Sequence, residues 1–292
     1  MGERILMAKK AGGQIIIQGV EEMRAYAVEA LSFKKRIGLV PTMGALHEGH
    51  FSLIRRSAEE NDLTVVSVFV NPMQFDDPGD FAAYPKTLEQ DARAAFEAGG
   101  DVVFAPAATE MYPKGVSTFV DMVGLSERLC GASRPSHFKG VLTVVAKLFG
   151  ICMPGRAYFG EKDAQQLAVI MKMSSELCIP VEVIGCPTIR EEDGLAISSR
   201  NARLSEEGRI AARCLYRALK EAKDRFRTGE CSPETLTDSM RGIIEKEPLA
   251  ELDYAELVDR GTFETPETAS EGMLLALAAY IGGVRLIDNM LL

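Results

Sequence analysis

The stretch Ile37-Gly38-Leu39-Val40-Pro41-Thr42-Met43-Gly44-Ala45-Leu46-His47-Glu48-Gly49-His50 decides the fold. It opens on a short apolar run, Ile37–Val40, closed by Pro41, which reads as a buried strand. A glycine-bearing turn follows. The chain then enters a segment, Gly49 to about Glu60, that carries Leu53, Ile54, Ser57 and Ala58 on one helical face. Strand, turn and helix in that order begin an α/β sheet, and ligands of such sheets bind at the carboxyl ends of the strands. The turn from Met43 to His47 lies at such an end.

The alternation extends in both directions. Upstream, Met23, Tyr26, Ala27, Ala30 and Leu31 mark a helix face. Downstream, Leu63–Val70 is a β-branched strand, and Leu88, Ala92, Ala95 and Phe96 form a helix face. That helix is opened by Thr87 with Gln90 as a capping box and closed by Gly99. Asp101–Ala105 reads as a strand. Val141, Val144, Val145, Leu148, Phe149 and Cys152 read as a helix stopped by Pro154-Gly155. Arg156–Phe159 is a strand, Leu167, Ile170 and Met171 mark a helix, and Val181–Thr188 is a strand. The pattern predicts parallel βαβ units, in a Rossmann-like doubly wound sheet domain over residues 1–187. Residues 1–14, with Gly12-Gly13, read as a loose leader.

After Pro187 the character changes. Ile210, Cys214, Ala218, Leu219, Ala222 and Phe226 predict a long amphipathic helix. Ser232-Pro233 is an N-cap followed by an N1 proline, ahead of Leu236, Met240, Ile243 and Ile244. Glu251–Asp259 and Gly283–Ile287 read as strands, so residues 188–292 are expected to form a smaller α+β lid domain.

Composition narrows the function. The 292 residues carry a formal net charge of −9, which gives no general electrostatic case for nucleic acid or an anionic membrane. No apolar run approaches the roughly 18 residues a membrane helix needs. The six cysteines include no C-x-x-C pair and no signal segment precedes them, so reduced thiols in the cytoplasm are expected.

Two of the three histidines, His47 and His50, stand as H-x-G-H at the helix start. A helix N-terminus offers unpaired N–H groups and a positive dipole end to phosphate, and Gly44 and Gly49 let backbone approach a ligand. Two imidazoles there can donate to phosphate oxygens while charge builds on a five-coordinate α-phosphorus. The chain has neither a Walker A motif nor G-x-G-x-x-G, which removes support for P-loop chemistry and dinucleotide binding.

Further blocks follow in order: Phe69-Val70-Asn71-Pro72-Met73-Gln74-Phe75, Asp80-Phe81 ahead of Tyr84-Pro85-Lys86-Thr87, and His137-Phe138-Lys139-Gly140-Val141. Then come Gly160-Glu161-Lys162-Asp163-Ala164-Gln165-Gln166 and Asp193-Gly194-Leu195-Ala196-Ile197-Ser198-Ser199-Arg200-Asn201. With Pro41–His50, this series resembles the pantothenate synthetase (pantoate–β-alanine ligase) family. That family lies in the H-x-G-H nucleotidyltransferase superfamily, which also contains class I aminoacyl-tRNA synthetases. The resemblance runs from about Ile15 to the C-terminus.

The resemblance implies a two-step reaction. Pantoate attacks the α-phosphate of ATP to give pantoyl adenylate and pyrophosphate, and β-alanine then displaces AMP to give pantothenate. It implies that ATP meets Met43, Gly44, Ala45, Leu46, His47, Glu48, Gly49 and His50, together with Gly160, Glu161, Lys162 and Asp163. Ile189, Ile197, Ser198, Ser199 and Arg200 complete that set, the last three in a loop expected to close over ATP. His50, His47, Lys162 and Arg200 are the implied catalytic groups. Gln74 and Gln166 are implied to hold pantoate, with Asn71 and Met43 beside them, and Gln74 also meets β-alanine. Magnesium carried with ATP and a homodimer are implied as well.

Ile197 stands where leucine or methionine is expected, Lys86 where arginine is frequent and Ile189 where valine is common. His137 reads as catalytic or as a capping residue, and Asp76-Asp77 as a solvated loop or a magnesium contact. A different nucleotidyltransferase sharing only H-x-G-H leaves Asn71–Phe75 and Gln166 unexplained. A nucleotide-sensing scaffold leaves the joint presence of His47, His50, Lys162, Ser198, Ser199 and Arg200 unexplained. A short, acidic chain with no evident anticodon module disfavours an aminoacyl-tRNA synthetase.

Overall fold

The computed structural model describes residues 14–76 and 78–292. Apart from Gln14, the expected leader lies outside the described residues, as does Asp77. By contacts, the described chain divides into two compact units. The first contains residues 14–126, Gly131–Gly160 and Val169–Cys186; the second contains Glu127–Cys130, Glu161–Ala168 and Pro187–Leu292.

Six parallel strands form the sheet of the first unit among the described residues, in the order β1-β4-β3-β2-β5-β6. They are β1 (Ile15–Ile17), β2 (Ile37–Thr42), β3 (Leu63–Val68), β4 (Val102–Phe104), β5 (Arg156–Gly160) and β6 (Glu182–Cys186). β2 pairs with β3 from Ile37↔Leu63 to Thr42↔Val68, and with β5 on its other side. The strand order therefore reverses between β2 and β5, which makes the carboxyl ends of these two strands the topological switch point. β2 and β3 are almost wholly buried, as strands covered on both faces must be.

The longer helices are α1 (Val20–Ser32), α2 (Glu48–Glu60), α3 (Leu88–Glu97), α4 (His137–Cys152) and α5 (Ala164–Glu176), the last of which crosses the unit boundary. Val40, Ile54, Val66, Ala95, Val103 and Tyr158 pack into one core between sheet and helices. Two local expectations are corrected. β3 ends at Val68 and not at Val70. Thr87 forms no capping box; its hydroxyl donates to the carboxylate of Asp91 at 3.0 Å.

In the second unit, β7 (Ala250–Val258), β8 (Leu274–Ile281) and β9 (Val284–Leu291) form an antiparallel sheet in that order. The helices α6 (Glu206–Ala211), α7 (Arg213–Arg227) and α8 (Pro233–Ile244) accompany it. Ser232 caps α8 as its sequence predicts, accepting from Thr235 N at 3.2 Å. Leu215, Leu219, Leu236, Met240, Leu257, Leu277 and Ile281 are buried in this unit's own core. The early segments belong here through specific bonds. Gln165 accepts from Cys130 N at 3.0 Å and donates to the Arg128 carbonyl at 2.6 Å, while Cys130 Sγ lies 3.2 Å from the Tyr254 hydroxyl. No helix among the described residues is long and apolar enough to cross a membrane.

Candidate active site

The turn after β2 is held in a costly conformation by long-range bonds. Gly44 has φ +86° and Ala45 φ +51°; the second is the left-handed region that a residue with a β-carbon avoids. Asp91 of α3, 2% exposed, offsets that cost. Its carboxylate accepts from Ala45 N at 3.1 Å and Leu46 N at 2.8 Å. A β-carbon on Gly44 would stand 2.9 Å from Asp91 Oδ2. Gly44 N donates to Thr42 Oγ1 at 3.2 Å, and that hydroxyl donates to the Ser67 carbonyl at 2.7 Å, tying the turn to β3.

His47 is the N-cap of α2 and His50 lies in its first turn. The His47 backbone N–H donates to His50 Nδ1 at 3.3 Å, and the two rings lie 4.0 Å apart between centroids. A neutral His50 whose Nδ1 accepts keeps its proton on Nε2, so the ring presents a donor there. Gly49 leaves room for the His47 ring, since a β-carbon on it would stand 3.0 Å from His47 Cε1. Glu48 is exposed and ion-paired with Arg55, so it is the backbone at this position, not the side chain, that sits at the helix N-terminus.

After β3 the chain makes a 3-10 turn, Pro72–Gln74. Asn71, 1% exposed, has every polar group engaged. Its Nδ2 donates to Gln74 Oε1 and to the Gly140 carbonyl, both at 3.0 Å, while Oδ1 accepts from the Tyr112 hydroxyl at 2.9 Å and from Met73 N at 3.3 Å. A carboxamide has two donors and two acceptor sites, so these four bonds occupy the Asn71 side chain and tie it to Gln74. Gln74 Nε2 lies 3.0 Å from Met43 Sδ, which brings the turns after β2 and β3 together. The Gln74 carbonyl accepts from His137 Nδ1 and Arg134 Nη2, both at 2.9 Å. His137 thus contacts the Gln74 backbone. Asp76 pairs with Arg134 at 3.3 Å and accepts from Ser136, so it is not a purely solvated loop carboxylate.

In the second unit, Glu161–Asp163 form a 3-10 turn leading into α5. Lys162, Asp163 and Gln166 are half-buried, whereas Gln165 is buried and spent on the Arg128–Cys130 segment. Ile189 and Ile197 face one another across a hairpin, Ile197 N donating to the Ile189 carbonyl at 3.0 Å. Arg190 and Ala196 form the adjoining bridge. Gly194, at φ +94°, closes the hairpin where a β-carbon would stand 2.1 Å from the Tyr216 ring. Ser198 caps the 3-10 turn Ser199–Arg203, accepting from Arg200 N at 3.3 Å.

Within the first unit the structure therefore brings Met43, the H-x-G-H segment and Gln74 to one sheet edge. Within the second it places Lys162, Ser198, Ser199 and Arg200 on short turns braced by their own unit. Sequence reading missed Asp91, Tyr112, Arg134, Arg190, Asp288 and Asn289. Each acts on a segment far away in sequence or sits in an unremarkable helix or strand, so no local signal marks it.

A parallel sheet whose strand-end loops offer helix N-terminal amides, imidazoles and carboxamides defines a nucleotide-using α/β enzyme. A family model described as pantoate-beta-alanine ligase matches residues 15–291. The chain is 53% identical to pantothenate synthetase of Heliobacterium modesticaldum over 275 residues, 94% of this chain and 98% of the relative. It is 51% identical to that of Geobacter sulfurreducens over 95% of this chain and 98% of the relative. The crystal structure of pantothenate synthetase from Thermus thermophilus superposes with a TM-score of 0.90 at 42% identity, covering 95% of this chain and 99% of that one. A pantoate-beta-alanine ligase from Francisella tularensis, complexed with beta-gamma ATP and β-alanine, superposes with a TM-score of 0.79 at 36% identity, over 96% and 98% of the two chains. The chain belongs to the pantoate–β-alanine ligase family and joins pantoate to β-alanine using ATP.

Proposed function

We propose that the ligation runs through a pantoyl adenylate. The pantoate carboxylate forms a bond to the α-phosphorus of ATP as the bond to the bridging oxygen breaks, releasing pyrophosphate. The amine of β-alanine then bonds to the acyl carbon and loses a proton, and AMP leaves with the electron pair of the broken acyl–oxygen bond. The observation that carries this reading is the 3.3 Å bond from His47 N to His50 Nδ1, which fixes an Nε2–H donor at a helix N-terminus beside a strand end. Charge accumulates on the non-bridging oxygens of a five-coordinate phosphorus, and fixed donors stabilise it there.

In this reading Met43, Gly44, Ala45, Leu46 and the amides of Glu48 and Gly49 line the nucleotide with His47 and His50. Lys162 and Arg200 neutralise phosphate charge, Ser198 and Ser199 bond phosphate oxygens, Gly160, Glu161 and Asp163 serve the ribose side, and Ile189 and Ile197 the adenine. Gln74 and Gln166 hold pantoate, and Asn71 positions Gln74. The expected roles, nucleotide and pantoate binding for residues 1–187 and a lid for residues 188–292, are kept in this reading, with Glu127–Cys130 and Glu161–Ala168 counted in the second unit.

Magnesium carried with the triphosphate would supply charge neutralisation for the phosphates, beside Lys162 and Arg200. Among the described residues no group of three or more His, Cys, Asp or Glu side chains could hold a metal ion. A cytoplasmic location is part of the same proposal and rests on the biosynthetic family. A homodimer rests on the family resemblance and is read by sedimentation.

The test is ATP–pyrophosphate exchange with magnesium and pantoate in the absence of β-alanine. Exchange that depends on pantoate is expected. Exchange that requires β-alanine would remove the adenylate.

A further inference from the structure

Two turns of the second unit that the proposed reading assigns to ATP, Glu161–Asp163 and the hairpin running into Ser198, are braced by one spot on β9. Asn289 uses both hydrogens of its carboxamide on consecutive carbonyls of the first turn, that of Glu161 at 2.9 Å and that of Lys162 at 2.8 Å. Its neighbour Asp288, 3% exposed, takes the Arg190 guanidinium in a two-pronged pair at 2.6 and 2.9 Å. Arg190 also donates to the carbonyls of Gly194 at 3.0 Å and Asn289 at 3.1 Å, and it stacks on Tyr216 with 4.9 Å to the ring centroid. Successive side chains of a strand leave from opposite faces, so one dipeptide serves both turns at once.

We propose that Asp288 and Asn289 are positioning residues for the nucleotide. Asn289 sets the backbone that carries Lys162 and Asp163, and Asp288, through Arg190, sets the hairpin that leads to Ser198 and Arg200. Neither needs to touch ATP. The bracing geometry itself argues for this role. A carboxamide satisfying two adjacent carbonyls fixes the turn's pitch, and a planar guanidinium held at four acceptors leaves its hairpin little rotational freedom. This inference rests on the proposed assignment of both turns to ATP.

Asn289→Asp tests it. The replacement is isosteric, has no donor and sets a carboxylate against two carbonyls. Affinity for an ATP analogue, read by calorimetric titration without turnover, is expected to fall roughly tenfold or more, as the loss of two hydrogen bonds implies. The KM for ATP should rise in step, while the KM values for pantoate and β-alanine stay within about twofold. Asn289→Leu, which removes the donors without adding charge, gives the same reading if the aspartate variant does not fold. Asn289→Gln keeps the carboxamide and should recover part of the affinity. Unchanged nucleotide affinity in a folded Asn289 variant overturns the inference, as does a uniform loss of active enzyme with unchanged KM for ATP. Absence of pantoate-dependent exchange in the unsubstituted protein overturns the adenylate reading instead, and the calorimetric comparison still decides the role of Asn289.

Discussion

A β-carbon on Gly140 would stand 2.3 Å from the carbonyl oxygen of Met73. The helix α4 therefore touches the turn that presents Gln74 backbone to backbone. Exchanging a mid-helix glycine for alanine ordinarily stabilises by roughly 0.5–1 kcal/mol. Here the neighbour is a carbonyl and cannot swing aside, so the sign reverses. Gly140→Ala is expected to lower the melting temperature and raise the KM for pantoate more than that for ATP. An alanine variant with wild-type pantoate kinetics would mean that the turn tolerates displacement.

Removing the His50 donor should show in the first half-reaction. His50→Ala is expected to slow pantoate-dependent pyrophosphate exchange by about 10²–10³-fold, the usual cost of one transition-state donor. An unchanged exchange rate removes His50 from the mechanism.

Asp91 supports the same turn from outside it. Asp91→Ala leaves the part-buried Ala45 and Leu46 amides without their acceptor, at roughly 0.5–1.5 kcal/mol for each lost bond. The turn also loses the bonds that offset the positive φ of Ala45. Lower stability together with slower exchange is expected, measured by thermal unfolding and by the exchange assay. A loss of stability alone would confine Asp91 to folding.

Asn71 and Gln74 should behave as one unit. Gln74→Ala is expected to weaken pantoate far more than ATP, and Asn71→Ala to do the same by freeing Gln74. Their effects on pantoate binding should fall short of additivity in a double-mutant cycle, with a coupling of about 0.5–3 kcal/mol. Additive losses would show that Asn71 meets pantoate by itself.

The alkaline limit of the fold follows from buried tyrosines. Burial is the main reason that Tyr26, Tyr112 and Tyr158 are pushed up to about 12. An unfolded tyrosine ionises near pH 10, so the folded state holds these protons longer than the unfolded one. Their contribution is complete below about pH 10 and is lost as pH rises towards 12. Tyrosinate absorbance and circular dichroism should therefore change together in that window. A full tyrosinate signal near pH 10 with the fold intact would contradict the burial.

The α/β alternation was legible because its strands are β-branched and its helices periodic. β8 was not. Leu274-Leu275-Ala276-Leu277-Ala278-Ala279 consists of strong helix formers, and it is a strand because it lies between β7 and β9 with all of these residues buried. β1 escaped notice because three residues carry no period; its pairing with β4 alone defines it. At the site, H-x-G-H could be read locally, whereas Gln74 was reached only through the family resemblance. The residues that hold them could not. Asp91 lies 46 residues from Ala45, and Arg190 lies 98 from Asp288, separations at which a sequence pattern conveys no contact.

The second unit also has a history fixed by the order of synthesis. Its segments Glu127–Cys130 and Glu161–Ala168 leave the ribosome well before Tyr254 and Asn289, to which they are bonded. The first sheet can assemble as its strands emerge, but these two segments wait for β7 and β9. A fragment begun at Pro187 would carry the Tyr254 hydroxyl and the Asn289 carboxamide without these early partners, so the unit needs both stretches of chain.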